Sequence, residues 1–172
     1  PDKIMVGEIR DRETAEIAIN ASLTGHMVFS TLHTNDAAGA FPRLTDMGVE
    51  PFLIASAVAG VMGQRLTRRL CPKCMKQAPL DMKYYDLSYP PESQTVFEPV
   101  GCEFCSKTGY KGRRAIFEVL EVDEDIESAI IKRHNATQIR DLSLSKGMKT
   151  LREDGWHKVF KGVTSVKEIM RV

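Results

Sequence analysis

The chain has 172 residues, a formal net charge of +1 and a sequence pI of about 8.1. Hydrophobic residues make up 42% and charged residues 27%, which is typical of a globular protein and not of a disordered chain. The near-neutral charge does not favour binding to nucleic acid or to an anionic membrane surface. No run approaches the roughly 20 apolar residues of a membrane span. Domains commonly have about 100–150 residues, so a chain of this length is expected to form one domain with a small insert.

The first predicted element is a short buried strand that ends at Gly7. A helix capped by Asp11 follows and runs to about Leu23, and a second strand spans residues 27–32. Strand–helix–strand order predicts a βαβ unit with a parallel sheet.

Glu8 follows the first predicted strand, so its carboxylate is expected at the carboxyl edge of the parallel sheet, where α/β proteins bind ligands. In phosphate chemistry such a carboxylate can hold Mg²⁺ through water or orient the attacking water. The alternative is that Glu8 is only the polar end of a strand.

Two histidines, His26 and His33, flank the second strand. Their seven-residue offset places them at opposite ends and nominally on opposite faces, which makes them a poor joint metal pair. Each can instead donate a hydrogen bond to a phosphate or a neighbouring carboxylate, and the alternative is a structural histidine.

Two more helices are predicted, one from Asp36 toward Met47 and a mostly apolar one over residues 51–66. The second is expected to be buried or to lie at a subunit contact. Arginines 65, 68 and 69 then fall at its end, where they would complement the helix dipole or meet a nucleotide phosphate across a subunit contact.

The four cysteines form two C-x-x-C pairs separated by 27 residues: Cys71 and Cys74, then Cys102 and Cys105. Two such pairs can close a tetrahedral Zn²⁺ site, and a zinc ion with four thiolates has no open position, so the site would be structural. Nothing else in the chain looks secreted, which disfavours disulfides. A redox C-x-x-C and unliganded thiols are the alternatives.

Residues 71–112, which contain the four cysteines, are predicted to form the small insert. After it, a strand is predicted from Arg113 to Leu120 and mostly helical structure from Asp123 onward. Two segments match the helix capping box, in which a hydroxyl and an acid three residues later bind each other's backbone amide. They begin at Thr150 and Ser165.

Taken in order, these segments resemble the secretion ATPase superfamily of type II secretion and type IV pilus assembly. Residues 1–15 look like its Walker B segment and residues 24–37 like its histidine box. The paired C-x-x-C knuckles, residues 109–113 and residues 147–155 also fit, so the resemblance spans essentially the whole chain.

The resemblance implies an α/β fold with a partial RecA-like P-loop NTPase core over residues 1–69. A tetracysteine zinc-binding subdomain would cover residues 70–112, and a returning strand with a C-terminal helical region would cover residues 113–172. By the same likeness the site residues would be Glu8 as the catalytic Walker B acid, His26 and His33 at the nucleotide site, Arg10 and Arg65 as possible phosphate or subunit contacts, and Cys71, Cys74, Cys102 and Cys105 as zinc ligands.

The implied parent is a homo-hexameric motor that uses ATP and Mg²⁺ at the cytoplasmic side of the inner membrane to drive type II secretion or type IV pilus assembly. Its implied partners are an inner-membrane platform protein and a cytoplasmic docking domain, with membrane association through these partners and no direct contact with nucleic acid. No G-x-x-x-x-G-K-S/T occurs in these residues, so we predict a C-terminal fragment that starts at the Walker B segment and is inactive alone. The alternative is a non-catalytic zinc-stapled module that binds protein or nucleic acid.

Overall fold

The computed structural model describes residues 2–81, 83 and 94–171 of the chain. Pro1, where the segment resembling Walker B begins, lies outside the described residues, as do residues 82 and 84–93 of the predicted zinc insert and Val172. The described chain is a mixed α/β structure, as predicted. It divides into two compact units, Pro1–Gly63 with Val119–Met148 (unit 1) and Gln64–Glu118 with Lys149–Val172 (unit 2).

Unit 1 begins with the predicted βαβ motif. It consists of β1 (Lys3–Met5), α1 (Arg12–Leu23) and β2 (Met27–Phe29), and the two strands pair in parallel. Asp11 caps α1 as predicted, because its carboxylate accepts a 2.8 Å hydrogen bond from the Thr14 amide.

Both strands are shorter than predicted, but single backbone bonds continue the pairing. The Val6 amide donates to the Phe29 carbonyl and the Ile9 amide to the Thr31 carbonyl, each at 2.9 Å. The two chain segments therefore stay side by side beyond the regular ladder, up to the residues that follow Glu8.

The predicted helix over residues 51–66 is wrong in its second half. Two short helices, α2 (Ala40–Asp46) and α3 (Pro51–Ala57), are followed by a long strand, β3 (Gly60–Leu70), which pairs with β6 (Tyr110–Glu121). An apolar run does not by itself distinguish a buried helix from a strand, and the glycines at 60 and 63 disfavour a helix.

Unit 1 is completed by α4 (Glu124–Ile131) and α5 (Ala136–Ser145). Helix α3 packs against α1 and α4, and α5 packs against α2 and α4. The core of this unit is made mainly of alanine and branched aliphatic side chains with one buried phenylalanine, and includes Ala15, Ile19, Phe41, Ile54, Leu120, Ile126 and Ile139.

Unit 2 contains the antiparallel pair β4 (Lys76–Pro79) and β5 (Thr95–Glu98), and the helices α6 (Leu151–Phe160) and α7 (Val166–Arg171). Its core is smaller and is centred on a buried tryptophan: Val96, Ile116, Trp156, Val159 and Ile169. The helices predicted after Asp123 and the strand predicted before it are therefore confirmed.

The capping box at Thr150 is confirmed. The Thr150 hydroxyl accepts from the Glu153 amide at 3.1 Å, and the Glu153 carboxylate accepts from the Thr150 amide at 2.7 Å. At Ser165 the Glu168 amide donates to the hydroxyl at 3.4 Å, but the Glu168 carboxylate accepts from the Arg68 amide and not from the Ser165 amide. The second capping box is therefore only half formed. Within the described ranges no helix has both the length and the apolar character needed to cross a bilayer.

Candidate functional site

Glu8 lies three residues after the end of β1, on the side of the carboxyl end of the parallel strand pair. The Thr31 hydroxyl donates a 2.8 Å bond to the Gly7 carbonyl, which holds the residues that follow β2 against those that follow β1. The Glu8 side chain is 21% exposed. The structure therefore presents a half-buried carboxylate at the sheet edge where α/β proteins bind ligands.

Two basic side chains contact this carboxylate. Arg10 Nη2 lies 2.6 Å from Glu8 Oε2, and His33 Nε2 contacts Glu8 Oε1. The hydrogen bond from Arg10 lowers the pKa of Glu8, against the opposing effect of burial, and the charges of Arg10 and His33 add to the lowering. Glu8 is thus held in its ionised form, the form that binds a cation through water or accepts a hydrogen bond from water.

His26 is not part of this group. It precedes β2, at the amino end of the strand pair, where its Nδ1 lies 3.2 Å from both the Ala21 carbonyl and the Thr24 hydroxyl. His26 therefore closes the C-terminal turn of α1, and its predicted place at a nucleotide site stays a prediction.

The loop that carries His33 is tied to a distant helix, which the sequence did not reveal. Asp36 accepts a 2.8 Å bond from the Gly39 amide through Oδ1 and forms an ion pair with Arg140 of α5 through Oδ2. Asp36 thus caps the turn that precedes α2, and not α2 itself, which begins at Ala40. The two charges are 104 positions apart, so no local pattern relates them.

The arginine cluster lies on β3, so the helix-dipole interpretation is wrong for it. Arg65 is exposed and lines a pocket of about 270 Å³ together with Arg152 and four apolar side chains, Ile116, Leu151, Ile169 and Met170. Contact of Arg65 with a phosphate or a neighbouring subunit stays a prediction.

Arg68 binds a buried acid. The Arg68 amide donates to Glu168 Oε2 at 2.9 Å and its guanidinium to Oε1 at 2.6 Å, and Arg171 also donates to this carboxylate. Burial alone would raise the pKa of Glu168, but these bonds lower it to about 2. Because Glu168 is 1% exposed, the group is a structural ion pair that joins β3 to α7 inside unit 2.

The four cysteines meet in unit 2. Their sulfur atoms all lie within 4.8 Å of one another, and three of the separations are 3.8–3.9 Å. A disulfide would require about 2.05 Å. A tetrahedral ion with metal–sulfur bonds of about 2.3 Å would space its ligands about 3.8 Å apart, so the donor set fits such an ion.

Three backbone amides near the cysteines donate hydrogen bonds to cysteine sulfur atoms. The Gly101 amide donates to Cys74 Sγ at 3.3 Å, and the amides of Cys102 and Gly109 donate to Cys105 Sγ at 3.2 Å. A side chain at Gly109, where φ is +77°, would place its Cβ 2.4 Å from Pro99 Cβ. Only glycine therefore fits the tight backbone of the knuckle at this position.

The thiols differ in acidity although they lie together. Burial opposes ionisation of Cys105, yet the two backbone amides and the neighbouring thiols bring its pKa down to about 6. Burial raises the pKa of Cys74 to about 11, and hydrogen bonds with the other thiols add to this despite the Gly101 amide. The lowered pKa of Cys105 favours binding of a divalent ion at this cluster, because metal ligation requires deprotonated sulfur.

Comparison with solved structures identifies the fold. The chain is similar to the X-ray structure of the ATPase DotB from Legionella pneumophila, with a TM-score of 0.66 and 22% identity, covering 99% of this chain and 38% of that one. It is also similar to the DotB structure from Yersinia pseudotuberculosis, with a TM-score of 0.68 and 19% identity, covering 99% and 36%. At this identity the likeness concerns the fold alone.

Comparison with sequences identifies the family. Residues 1–171 match the family described as Type II/IV secretion system protein, and the chain belongs to this family. It is 51% identical to the type IV pilus assembly ATPase PilB of Thermus thermophilus, over 99% of this chain and 20% of the relative. It is 47% identical to the type II secretion system protein E of Aeromonas hydrophila, over 100% and 34%. The chain thus spans a fifth to a third of these relatives.

Proposed function

We propose that these residues form part of a RecA-like motor ATPase that couples ATP hydrolysis to type II protein secretion or type IV pilus assembly. The observation that carries the proposal is the ionised, half-buried Glu8 at the sheet edge, contacted by Arg10 and His33. Membership of the secretion family and the relatives that are named pilus assembly ATPases support the same reading.

In this proposal Glu8 is the acid that orients the attacking water and helps to hold Mg²⁺ through water. Bound Mg²⁺ would neutralise charge on the ATP phosphates. Arg10 keeps Glu8 ionised, and His33 couples the carboxylate to the loop after β2. His26 at the nucleotide site, and Arg65 at a phosphate or subunit contact, are further proposals that the contacts described above do not yet support.

The tetracysteine cluster has a separate role in this proposal. Four thiolates would hold a structural Zn²⁺ with no open coordination position, so the ion would fix the two knuckles and take no part in hydrolysis. The match between the sulfur separations and a tetrahedral ion supports this assignment.

The working form would be a homo-hexamer at the cytoplasmic face of the inner membrane, in contact with a membrane platform protein and a cytoplasmic docking domain. These 172 residues contain no phosphate-binding loop, whose backbone amides and lysine cradle the β- and γ-phosphates. We therefore infer that they do not hydrolyse ATP by themselves.

ATP hydrolysis by the whole parent protein tests the proposal. Glu8→Gln keeps the size of the side chain but removes its charge, so we expect kcat to fall by about 10²-fold or more. Glu124→Gln, an exposed acid on α4 outside the segment that resembles Walker B, is the matched control and should leave kcat unchanged.

A Glu8→Gln protein that hydrolyses ATP at the wild-type rate would contradict the role of Glu8. Hydrolysis by the purified 172 residues would contradict the inferred inactivity. A parent protein without any ATPase activity would favour the alternative of a non-catalytic zinc-stapled module.

A further inference from the structure

The loop between β2 and α2 carries His33 to Glu8, although little packing holds the histidine itself. The His33 side chain is 84% exposed. Its position therefore depends on how the loop around it is fixed. On one side, the Thr31 hydroxyl binds the Gly7 carbonyl and the Thr31 carbonyl accepts from the Ile9 amide, so the start of the loop is fixed to the Glu8 segment.

On the other side the loop is fixed by Asp36. The Thr34 hydroxyl donates to the Asp36 carbonyl at 2.9 Å, and Asp36 Oδ1 accepts from the Gly39 amide. The following residues, Ala37 and Ala38, are buried in the core of unit 1. Asp36 thus stands where the exposed loop enters the core.

Arg140 of α5 supplies the remaining contact of this carboxylate. It pairs with Asp36 Oδ2 while Oδ1 stays on the Gly39 amide, so the two oxygens bind two different elements. The pair is partly shielded, since the side chains of Arg140 and Asp36 are 38% and 21% exposed. A shielded ion pair with a second hydrogen bond holds its geometry better than an exposed one.

We propose that Arg140 is a positioning residue of the hydrolytic site, acting through Asp36 to hold the His33 loop against Glu8. The inference rests on the proposed function, because it assigns α5 a part in that reaction. It also gives α5 an influence on the reaction, because Arg140 of this helix binds Asp36 in the loop that carries His33.

The test uses ATP hydrolysis by the whole parent protein. Asp36→Asn keeps an oxygen for the Gly39 amide and removes the charge that binds Arg140, and Arg140→Gln removes the other charge. We expect each change to lower kcat by about 10-fold or more with little change in KM, because displaced catalytic groups reduce the rate more than the binding. Arg140→Lys should recover part of the loss.

A double-mutant cycle with His33 separates positioning from general stabilisation. If Arg140 acts through His33, Arg140→Gln should lower kcat in the wild-type background and have no further effect in a His33→Ala background. Lys146→Gln, which removes two other ion pairs, with Asp123 and Asp125, at the C-cap of the same helix, is the matched control and should leave kcat unchanged.

Two outcomes would overturn the positioning role: wild-type kcat in both Asp36→Asn and Arg140→Gln, or an equal loss from Arg140→Gln with and without His33. Measuring kcat of Glu8→Gln in the same assay distinguishes failure of the positioning role from failure of the proposed function. If Glu8→Gln is inactive and the Arg140 and Asp36 variants are fully active, only the positioning role fails. If Glu8→Gln is fully active, the proposed function of the site fails.

Discussion

The Glu8 group of unit 1 and the tetracysteine cluster of unit 2 are assembled in opposite ways. The cysteines come in two local pairs, and each pair shapes its own knuckle, as when the Cys102 amide binds Cys105 Sγ. Glu8 and His33 come from two segments that lie side by side through parallel strand pairing. The loop that carries His33 also contains Asp36, which pairs with Arg140, 104 positions away.

This difference predicts different weaknesses. A site built from local pairs would depend on a metal ion to hold the two pairs together, because 27 residues separate them in the chain. A site built from loops depends on long-range contacts, so substitutions far from it in sequence should impair it. The three predictions below test this contrast, from the largest expected effect to the smallest.

Removal of one cysteine should have the largest effect. We expect the wild-type chain to carry about one zinc ion, because apparent free energies of structural zinc binding are about 10 kcal/mol or more. Cys102→Ser should carry much less zinc, because it removes one of the four thiolates. The knuckle amides of Gly101 and Gly109 should then exchange hydrogen fast, while those of α1 in unit 1 stay protected. Atomic emission and hydrogen exchange measure both effects.

Glu103→Gln changes an exposed acid between Cys102 and Cys105 and should leave the zinc content unchanged. A wild-type chain with no metal and four titratable thiols would contradict the prediction. Equal loss of protection in both units of the Cys102→Ser protein would contradict the contrast between them.

Loss of the charge on Glu168 should destabilise unit 2 by about 2–3 kcal/mol at pH 7, because Glu168→Gln weakens charge-assisted bonds to a buried group. The folded-state pKa is about 2 and the ordinary value is 4.5, so the stabilisation is complete above about pH 4.5 and is lost as the pH falls toward 2. The free energy of unfolding of wild type and variant, compared at each pH, measures this. A difference that grows as the pH falls below 4.5 would contradict it.

The helix caps should show the smallest effect, and an equal one in both units. Asp11→Ala removes the cap of α1 and Thr150→Ala removes the cap of α6, and each should cost about 1 kcal/mol of unfolding free energy. Denaturant unfolding measures both, with Glu13→Gln as the control in α1. A cap whose loss is neutral would show that tertiary contacts alone hold that helix.

Elements encoded by short-range patterns were predictable. The βαβ order, the cap at Asp11, the capping box at Thr150 and the meeting of the four cysteines all depend on residues a few positions apart or on paired motifs. The family was predictable because several such motifs occur in order along the chain, and the family match confirms it.

The strand Gly60–Leu70 was not predictable in this way. The apolar residues at its start are compatible with a helix or with a strand. Backbone pairing with Tyr110–Glu121 stabilises the strand. The arginines consequently lie along a strand, where Arg68 binds the buried Glu168 across 100 positions.

By itself the sequence determined the family and the candidate site residues: an acid after a strand, histidines on either side of the next strand, and four thiols at metal-binding spacing. The tertiary structure alone decided which of them meet. It joined Glu8 to His33 and left His26 at the opposite end of the strand pair, and it brought Arg140 to Asp36. The physical reason is that strand register and helix packing set distances between residues far apart in the chain, whereas spacing along the chain sets only the local ones.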